Sequence, residues 1–329
     1  MTAPSEPQAR ATRTAAGLRF IAVRNVPLNF QLGEWRISSV SRRLAVLECT
    51  DRSLNSIPFD ELPPLADAEG YLIKALPAPL DPRHTSKRPG WFQRVLREYP
   101  RHLVDLTTGY DAYLAKFSGK TRSTLKRKTR KFQELSGGQI QWKEYRTPDE
   151  LAAFFPLAHD VSAKTYQERL LGTGLPDTAA FKDAAMAQAA GNAIRAYILF
   201  LNARPVSYLY LPVEDGRVVY AYLGYDPAVA EHSPGTVLQL LAMERLFAEP
   251  GLTVFDFTEG AGQHKQLFAT HTEQCADVLI LKRKISTVAL AYAHAAFTQA
   301  EAGLSRLLET LGVKRRMKML LRALAASRD

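Results

Sequence analysis

The chain has 329 residues, a formal net charge of +10 and two cysteines, Cys49 and Cys275. The length predicts two domains or one elaborate fold, and a hydrophobic content of 46% can supply a sizeable core. Two cysteines without CxxC spacing exclude a disulfide framework, so we expect reduced thiols and a cytoplasmic protein. The positive charge favours anionic partners such as nucleotide cofactors, tRNA or anionic lipid, without choosing among them.

The first half of the chain is built mainly of strands. Residues 1–18 are small and polar and predict a disordered tail. After residue 76 a stretch rich in proline and arginine predicts a loop. Ser136-Gly137-Gly138 ends the last helix of this half, so we place a domain boundary there, with an N-terminal lobe at 19–138. The predicted strands are 19–26, 35–49, 71–76 and 101–106, and the predicted helices are 110–117 and 121–135.

The helix predicted at 121–135 is strongly basic, and so is the sequence just before it. Such a run is usually a solvated helix face. Its density also favours an anionic partner, namely donor phosphates, tRNA or anionic lipid, while the scarcity of aromatic residues argues against stacking on single-stranded bases. The seven basic residues, with no acid among them, are Lys120, Arg122, Lys126, Arg127, Lys128, Arg130 and Lys131.

The second half alternates strands and helices. After a strand at 139–145, Thr147 is expected to cap a helix that Pro148 opens and that runs to about residue 167. Asp177 is expected to cap a second helix ending at 190. An Asp-Gly turn at 215–216 is a strong hairpin signal and predicts a meander. The remaining predicted elements are strands at 193–201, 205–212, 217–223, 253–257 and 276–281 and helices at 236–248 and 263–269.

No segment reaches the roughly 18 apolar residues that cross a membrane. The residues at 285–329 predict amphipathic helices with a basic end. They permit binding to a membrane surface without requiring it.

The order of elements from residue 139, β-α-α-β-β-β-α-β-α-β, resembles the GNAT superfamily of acyl-CoA N-acyltransferases. The segments GYDP, SPG, VFDFTEG and HKQLF, together with the basic helix KTRSTLKRKTRK, resemble the CelD-type acetyltransferase domain, a FemAB-like branch of GNAT in bacteria. The likeness covers about residues 110–284. It implies an α/β fold with a GNAT-like mixed sheet, in which 139–284 is the acyltransferase domain and the N-terminal lobe is a degenerate partner.

The resemblance places the acyl donor where the sheet splays open before the helix at 236. A helix N-terminus there offers unpaired N–H groups to a pyrophosphate. Ser233 is expected to cap that helix and Pro234 to open it. The segment has one glycine where the standard GNAT loop has two, so acyl-CoA and aminoacyl-tRNA both stay open as donors. The implied donor-binding residues are Leu223, Gly224, Ser233, Pro234, Gly235 and Thr236.

N-acyl transfer needs a base for the amine, polarisation of the carbonyl and a proton for the leaving group. Glu259 and Asp256 are the candidate bases, although Asp256 can equally serve as a structural hydrogen-bond partner. Lys265 corresponds to the family's aromatic-Lys pair, here His264-Lys265, and would bind phosphate or polarise the carbonyl, unless it is a solvated lysine. Tyr225 could protonate the leaving thiolate or simply pack at a strand end.

On the acceptor side, the resemblance implies Tyr166 and the loop containing Gly174, for which helix packing is the alternative. We expect no metal, because the spacing of the acidic, histidine and cysteine residues fits no standard site. Three functions remain open. The first is acyl-CoA-dependent N-acyl transfer to a small-molecule or sugar amine in polysaccharide or cell-envelope metabolism. The second is FemAB-like transfer from aminoacyl-tRNA, and the third is an inactive GNAT-fold accessory protein of exopolysaccharide synthesis.

Overall fold

The computed structural model describes residues 17–297 apart from positions 33–34, 55–56, 66, 79–89, 166–173, 261, 285–288, 290–291 and 294–295. The predicted tail, the loop after residue 76 and the C-terminal helices therefore lie largely outside the described residues. Two compact units make up the chain. The central unit runs from Tyr99 to Gln274, and the terminal unit contains the described residues up to Glu98 and those from Cys275 onward.

The helices and strands follow one another in mixed order. The strands are β1 (Leu18–Leu32), β2 (Trp35–Cys49), β3 (Gly70–Pro77), β4 (Trp91–Asp105), β5 (Gln141–Tyr145), β6 (Ile194–Leu201), β7 (Arg204–Glu214), β8 (Arg217–Val219), β9 (Tyr222–Tyr225), β10 (Val254–Glu259) and β11 (His271–Lys282). The α-helices are α1 (Tyr110–Ala115), α2 (Gly119–Leu135), α3 (Pro148–Ser162), α4 (Ala179–Ala190), α5 (Pro234–Phe247) and α6 (Gln263–Phe268).

The terminal unit is a sheet whose two faces are both apolar. β1 and β2 form a long antiparallel hairpin, β2 runs parallel to β3, and β3 pairs antiparallel with β11. Successive side chains alternate between faces, so Leu47 and Ile73 belong to one core whereas Leu44 and Leu72 belong to another. Buried Cys49 lies in this unit as a free thiol, and burial raises its pKa to about 11.

The central unit contains a mixed sheet with the strand order β4-β10-β8-β7-β6-β5. β10 runs parallel to β8 and antiparallel to β4, and the pairs from β8 to β5 are antiparallel. The expected meander and the expected α/β class with a mixed sheet are therefore confirmed. β9 pairs with β7, off this path.

Helices cover both faces of the central sheet. Along β6, Tyr197 and Leu199 join a core with α2 and α5, whereas Ala196 and Ile198 join a core with α3 and α4. This alternation is the period-two pattern of a strand. It explains why β6 has six consecutive buried residues, since both of its faces are covered.

The starts of α3 and α4 show which of the expected N-cap residues are used. Thr147 caps α3 in a full capping box with Glu150, and Pro148 occupies the first helical position, as expected. The expected cap by Asp177 is wrong, because α4 is capped by the hydroxyl of Thr178, which accepts the Phe181 N–H at 3.3 Å. Asp177 instead pairs with His159 and Lys182. Asp177 and Thr178 are both favourable N-cap residues, and the sequence alone does not show which of them caps α4.

The strand expected at 217–223 is interrupted, and this break positions the candidate site. β8 pairs with β7 on one side and with β10 on the other, up to Val219 opposite Asp256. The Tyr220 N–H then donates to the Asp256 carbonyl at 2.9 Å. Among the described residues, β9 has a ladder partner in β7 but none in β10. The sheet therefore splays open after Tyr220.

The compact units do not follow the predicted boundary at residue 138. Tyr99 rather than 139 begins the central unit, because the second part of β4 pairs with β10, for example Val104 with Phe255. The strand expected at 276–281 lies in the terminal unit, where it pairs with β3. Both pairings join residues far apart in sequence, which local patterns cannot reveal.

Candidate active site

The splayed strands open into a cavity of about 410 Å³ within the central unit. Its walls come from β7, β9, the start of α5 and from α6. The lining combines aromatic and aliphatic side chains with polar groups such as Ser207, Gln239 and His264, which is typical of a small-molecule site. All six residues expected to bind the donor line it: Leu223, Gly224, Ser233, Pro234, Gly235 and Thr236.

The N-terminus of α5 faces this cavity without a side-chain cap. Ser233 occupies the N-cap position with a left-handed backbone (φ 55°, ψ 46°), and its side chain makes no capping hydrogen bond. The expected cap by the Ser233 hydroxyl is therefore wrong, whereas Pro234 is at the first helical position, as expected. A helix leaves its first N–H groups without intrahelical acceptors, so Gly235 and Thr236 present donors and the positive end of the helix dipole to an anion.

Gly224 and Gly235 provide a matched pair of variants. A Cβ at Gly224 would lie 2.6 Å from Tyr208 Cε1 and 2.9 Å from Thr165 Cγ2, whereas a Cβ at Gly235 would lie 3.4 Å from its nearest neighbour, on Tyr225. We expect Gly224→Ala to lower the free energy of unfolding by about 1–3 kcal/mol through overpacking. Gly235→Ala should leave it unchanged or slightly higher, since alanine favours a helix. Urea denaturation measures the free energy of unfolding of both variants. Equal losses in the two variants would contradict the closer packing around Gly224.

A β-bulge in β10 lies next to the point where the sheet splays open, between Asp256 and Glu259. In the β4–β10 ladder, Asp256 pairs with Leu103 and Glu259 with Arg101, so β10 has one residue more than β4 in this interval. Within the bulge Thr258 has φ 62°, an unusual value for a β-branched residue. The Thr258 N–H donates to Asp256 Oδ1 at 2.7 Å, which holds the bulge in place.

Asp256 is the centre of a buried ion-pair cluster. Its carboxylate is 1% exposed and accepts from Arg101 Nε at 2.8 Å and from Arg101 Nη2 at 2.6 Å. Arg217 Nε lies 2.8 Å from the same oxygen. The geometry therefore gives Asp256 the partners of a structural carboxylate and brings β4, β8 and β10 together at the point where the sheet splays.

Glu259 and Lys265 lie together just beyond the bulge. Glu259 is exposed at the end of β10, and Lys265 Nζ donates to its backbone carbonyl at 2.8 Å. Burial lowers the pKa of Lys265, while the negative charges of Asp256 and Glu259 oppose that shift. Neither Glu259 nor Lys265 is among the residues that line the cavity, but Lys265 directly follows His264, which does line it.

His264 is a cavity residue that the sequence indicated only as the neighbour of Lys265. Its ring lies 6.1 Å from the Tyr220 ring and 6.2 Å from the Phe257 ring, between centroids. Partial burial lowers its pKa, and the charges of Lys265 and His102 lower it further. Because this direction is below the ordinary value near 6.5, the imidazole is neutral at neutral pH and can accept a proton.

The other sequence-based candidates are distributed as follows. Tyr225, at the end of β9, is 44% exposed and lines the cavity. Tyr166 lies outside the described residues. Gly174 is described but does not line the cavity; it precedes Leu175, whose N–H donates to Ser162 Oγ at 3.0 Å at the end of α3.

The basic residues of α2 form an exposed face beside the cavity-forming helix. Leu125 and Phe132 turn inward, and α2 packs against α5 and the 3-10 turn at 227–232. We call the outward residues the basic face; all are exposed except Lys128, which is partly buried. The basic face consists of Lys120, Arg122, Lys126, Arg127, Lys128, Arg130 and Lys131.

Among the described residues, no group of three His, Cys, Asp or Glu side chains is placed to hold a metal ion. Within the same part of the chain, no helix is both long and apolar enough to span a membrane.

Comparison with known proteins agrees with this geometry. Residues 119–266 match the family model described as an acetyltransferase (GNAT) domain. No curated protein sequence matches the chain significantly. The structure of FemX has 12% sequence identity and a TM-score of 0.53 over 83% of this chain and 85% of that one. A structure described as the C-terminal domain of a putative lysylphosphatidylglycerol synthetase from Agrobacterium fabrum has 12% identity and a TM-score of 0.52 over 87% of each chain.

At these identities the two structures establish the fold alone. The match to the family model includes the cavity residues at 223–236, the bulge in β10 and His264-Lys265. Residues 119–266 therefore resemble an acetyltransferase (GNAT) domain, and the chain has a FemAB-like GNAT fold.

Proposed function

We propose that this protein is an N-acyltransferase that moves an acetyl or other acyl group from acyl-CoA to an amine, such as that of a sugar or another cell-envelope precursor. The observation that carries the proposal is the cavity at the splay with an uncapped helix N-terminus at its wall. Such an N-terminus binds phosphate through backbone N–H groups and the helix dipole. The side chains of Leu209, Leu223 and Phe268 in the cavity wall suit the methyl and methylene groups of the arm that links the pyrophosphate to the thioester.

We assign the chemistry of transfer to Glu259, at the end of β10, and to Tyr225, in the wall of the cavity. The acceptor amine must lose a proton to attack the thioester carbonyl, and the thiolate that leaves must gain one. Glu259, exposed beyond the bulge, is the proposed base for the amine, and Lys265 holds the Glu259 backbone. Tyr225, which lines the cavity, is the proposed acid for the thiolate. Asp256 is a positioning residue, because it holds the bulge that carries Glu259.

Aminoacyl-tRNA is the second candidate donor, and one observation favours it. The basic face lies on α2, which packs against α5, the helix whose N-terminus lines the cavity. Binding of this kind weakens steeply with salt, because each neutralised phosphate releases counterions. Replacing Lys126 and Arg130 by glutamate should abolish tRNA binding and leave CoA binding intact if tRNA is the donor.

Calorimetric titration with CoA, followed by thiol release from acetyl-CoA in the presence of varied amines, tests the first proposal. We expect CoA to bind and raise the melting temperature, since a ligand that binds only the folded state stabilises it. Gly235→Glu should abolish binding by placing a carboxylate at the helix N-terminus. Gly191→Glu adds the same charge at the exposed end of α4 and should bind CoA normally.

Two results would count against the proposal. If no acyl-CoA binds or releases thiol while charged tRNA binds at low salt, the aminoacyl-tRNA donor is correct. If neither ligand binds, the domain is an inactive accessory protein with a GNAT fold.

A further inference from the structure

Two side chains from α1 and the residue after it hold the C-terminal end of α6. Lys116, directly after α1, donates from Nζ to the Leu267 carbonyl at 2.9 Å and to the Ala269 carbonyl at 2.6 Å. Between these two carbonyls, that of Phe268 accepts from the hydroxyl of the buried Tyr113 at 3.0 Å. Because the last carbonyls of a helix lack intrahelical partners, these two side chains satisfy three successive acceptors at one helix end.

Aromatic packing adds to these hydrogen bonds. Lys116 Nζ lies 4.3 Å from the centre of the Phe117 ring, within the range of a cation–π contact. The Phe117 ring in turn meets the Phe268 ring edge-on, with the centroids 6.0 Å apart. Among the described residues, no carboxylate pairs with Lys116, so its hydrogen-bond partners are the two carbonyls at the end of α6.

The position of α6 depends on such contacts. The helix has six residues, and its N-cap residue, Gly262, supplies no side-chain cap. A helix this short is unstable on its own, so tertiary contacts must hold it. Two of its residues, His264 and Phe268, line the cavity. The hydrogen bonds at the end of α6 therefore bear on the shape of the cavity wall.

We propose that Lys116 and Tyr113 are positioning residues, which hold α6 so that His264 and Phe268 keep their places in the cavity wall. Neither Lys116 nor Tyr113 lines the cavity, so each acts through α6. Their effect on acyl transfer rests on the proposed function, whereas their hold on α6 does not. The two effects can therefore be measured separately.

Hydrogen–deuterium exchange of the full chain, read by mass spectrometry on the peptide that contains residues 263–269, measures the hold on α6. Lys116→Met keeps an unbranched stem but loses every N–H donor, so the α6 amides should exchange about tenfold faster than in the wild type. Lys116→Arg keeps a positive charge and N–H donors and should restore most of the protection. Tyr113→Phe removes one hydroxyl and should speed exchange about fivefold.

Thiol release from acetyl-CoA by the same variants measures the effect on transfer. Lys116→Met should lower kcat about tenfold, because a displaced cavity wall spoils the alignment of the reacting groups, and Lys116→Arg should recover it. Lys143→Met is the matched control. Lys143 is exposed on β5, and its Nζ also lies over an aromatic ring, that of Tyr145, at 4.9 Å. This variant should leave both α6 exchange and kcat unchanged.

Three results would overturn the positioning role. The first is equal exchange of the α6 amides in the wild type and Lys116→Met. The second is equally fast exchange in Lys116→Arg and Lys116→Met, because hydrogen bonds to the carbonyls would then not be the cause. The third is faster exchange with unchanged kcat, which would confine both residues to stability. A wild type that releases no thiol from any acyl-CoA would remove the proposed function, and the exchange rates would still decide whether Lys116 and Tyr113 hold α6.

Discussion

Replacing Asp256 by asparagine is expected to lower the free energy of unfolding by about 3–5 kcal/mol, the usual effect of removing one partner from a buried ion pair. The carboxylate is 1% exposed, and its partner Arg101 is 5% exposed. Asparagine keeps the shape but removes the charge, so the buried Arg101 and the half-buried Arg217 lose their anion. Chemical denaturation followed by circular dichroism measures the loss.

Asp183→Asn is the control for this experiment. It makes the same exchange at an exposed position on α4 and should change stability by less than about 0.5 kcal/mol. Assays at a temperature where Asp256→Asn remains folded separate positioning from proton transfer. If the variant were as stable as the wild type and yet lost all turnover, Asp256 would act on the amine directly, and its positioning role would be wrong.

Much of the central unit could be predicted from the sequence because its signals are local. The Asp215-Gly216 turn, the cap at Thr147 and Pro148, and the opening of α5 by Pro234 each depend on a few neighbouring residues. The six residues expected to bind the donor also lie close together along the chain, and all of them line the cavity, while their role in binding stays a prediction.

The features that could not be predicted depend on contacts between distant residues. The break between β8 and β9 arises because β10 stops pairing after Asp256, and no residue at 220–221 marks it. The sequence alone does not decide the role of Asp256, because its partner Arg101 is 155 positions away. Gln239 has only a weak signal, a single polar residue within the apolar stripe of α5, and that pattern alone does not distinguish a cavity residue from a solvated one.

Glu259→Gln is expected to lower kcat by about 100- to 10,000-fold at neutral pH, the range for loss of a general base. Donor KM should hardly change, because Glu259 is not among the residues that line the cavity. The difference in kcat between Glu259→Gln and the wild type should become smaller as the pH rises, because more of the acceptor amine is then already neutral in solution. Steady-state rates of thiol release across pH measure this effect.

Glu244→Gln is the matched control, because it removes one carboxylate from an exposed position on α5, and its rates should equal those of the wild type. A Glu259→Gln variant with full activity would transfer the base role to His264. That residue lines the cavity, and burial lowers its pKa, so it is neutral at neutral pH. In that case His264→Gln should show the large loss, and wild-type activity should fall on the acid side only below the ordinary histidine pKa, as the imidazole gains its proton.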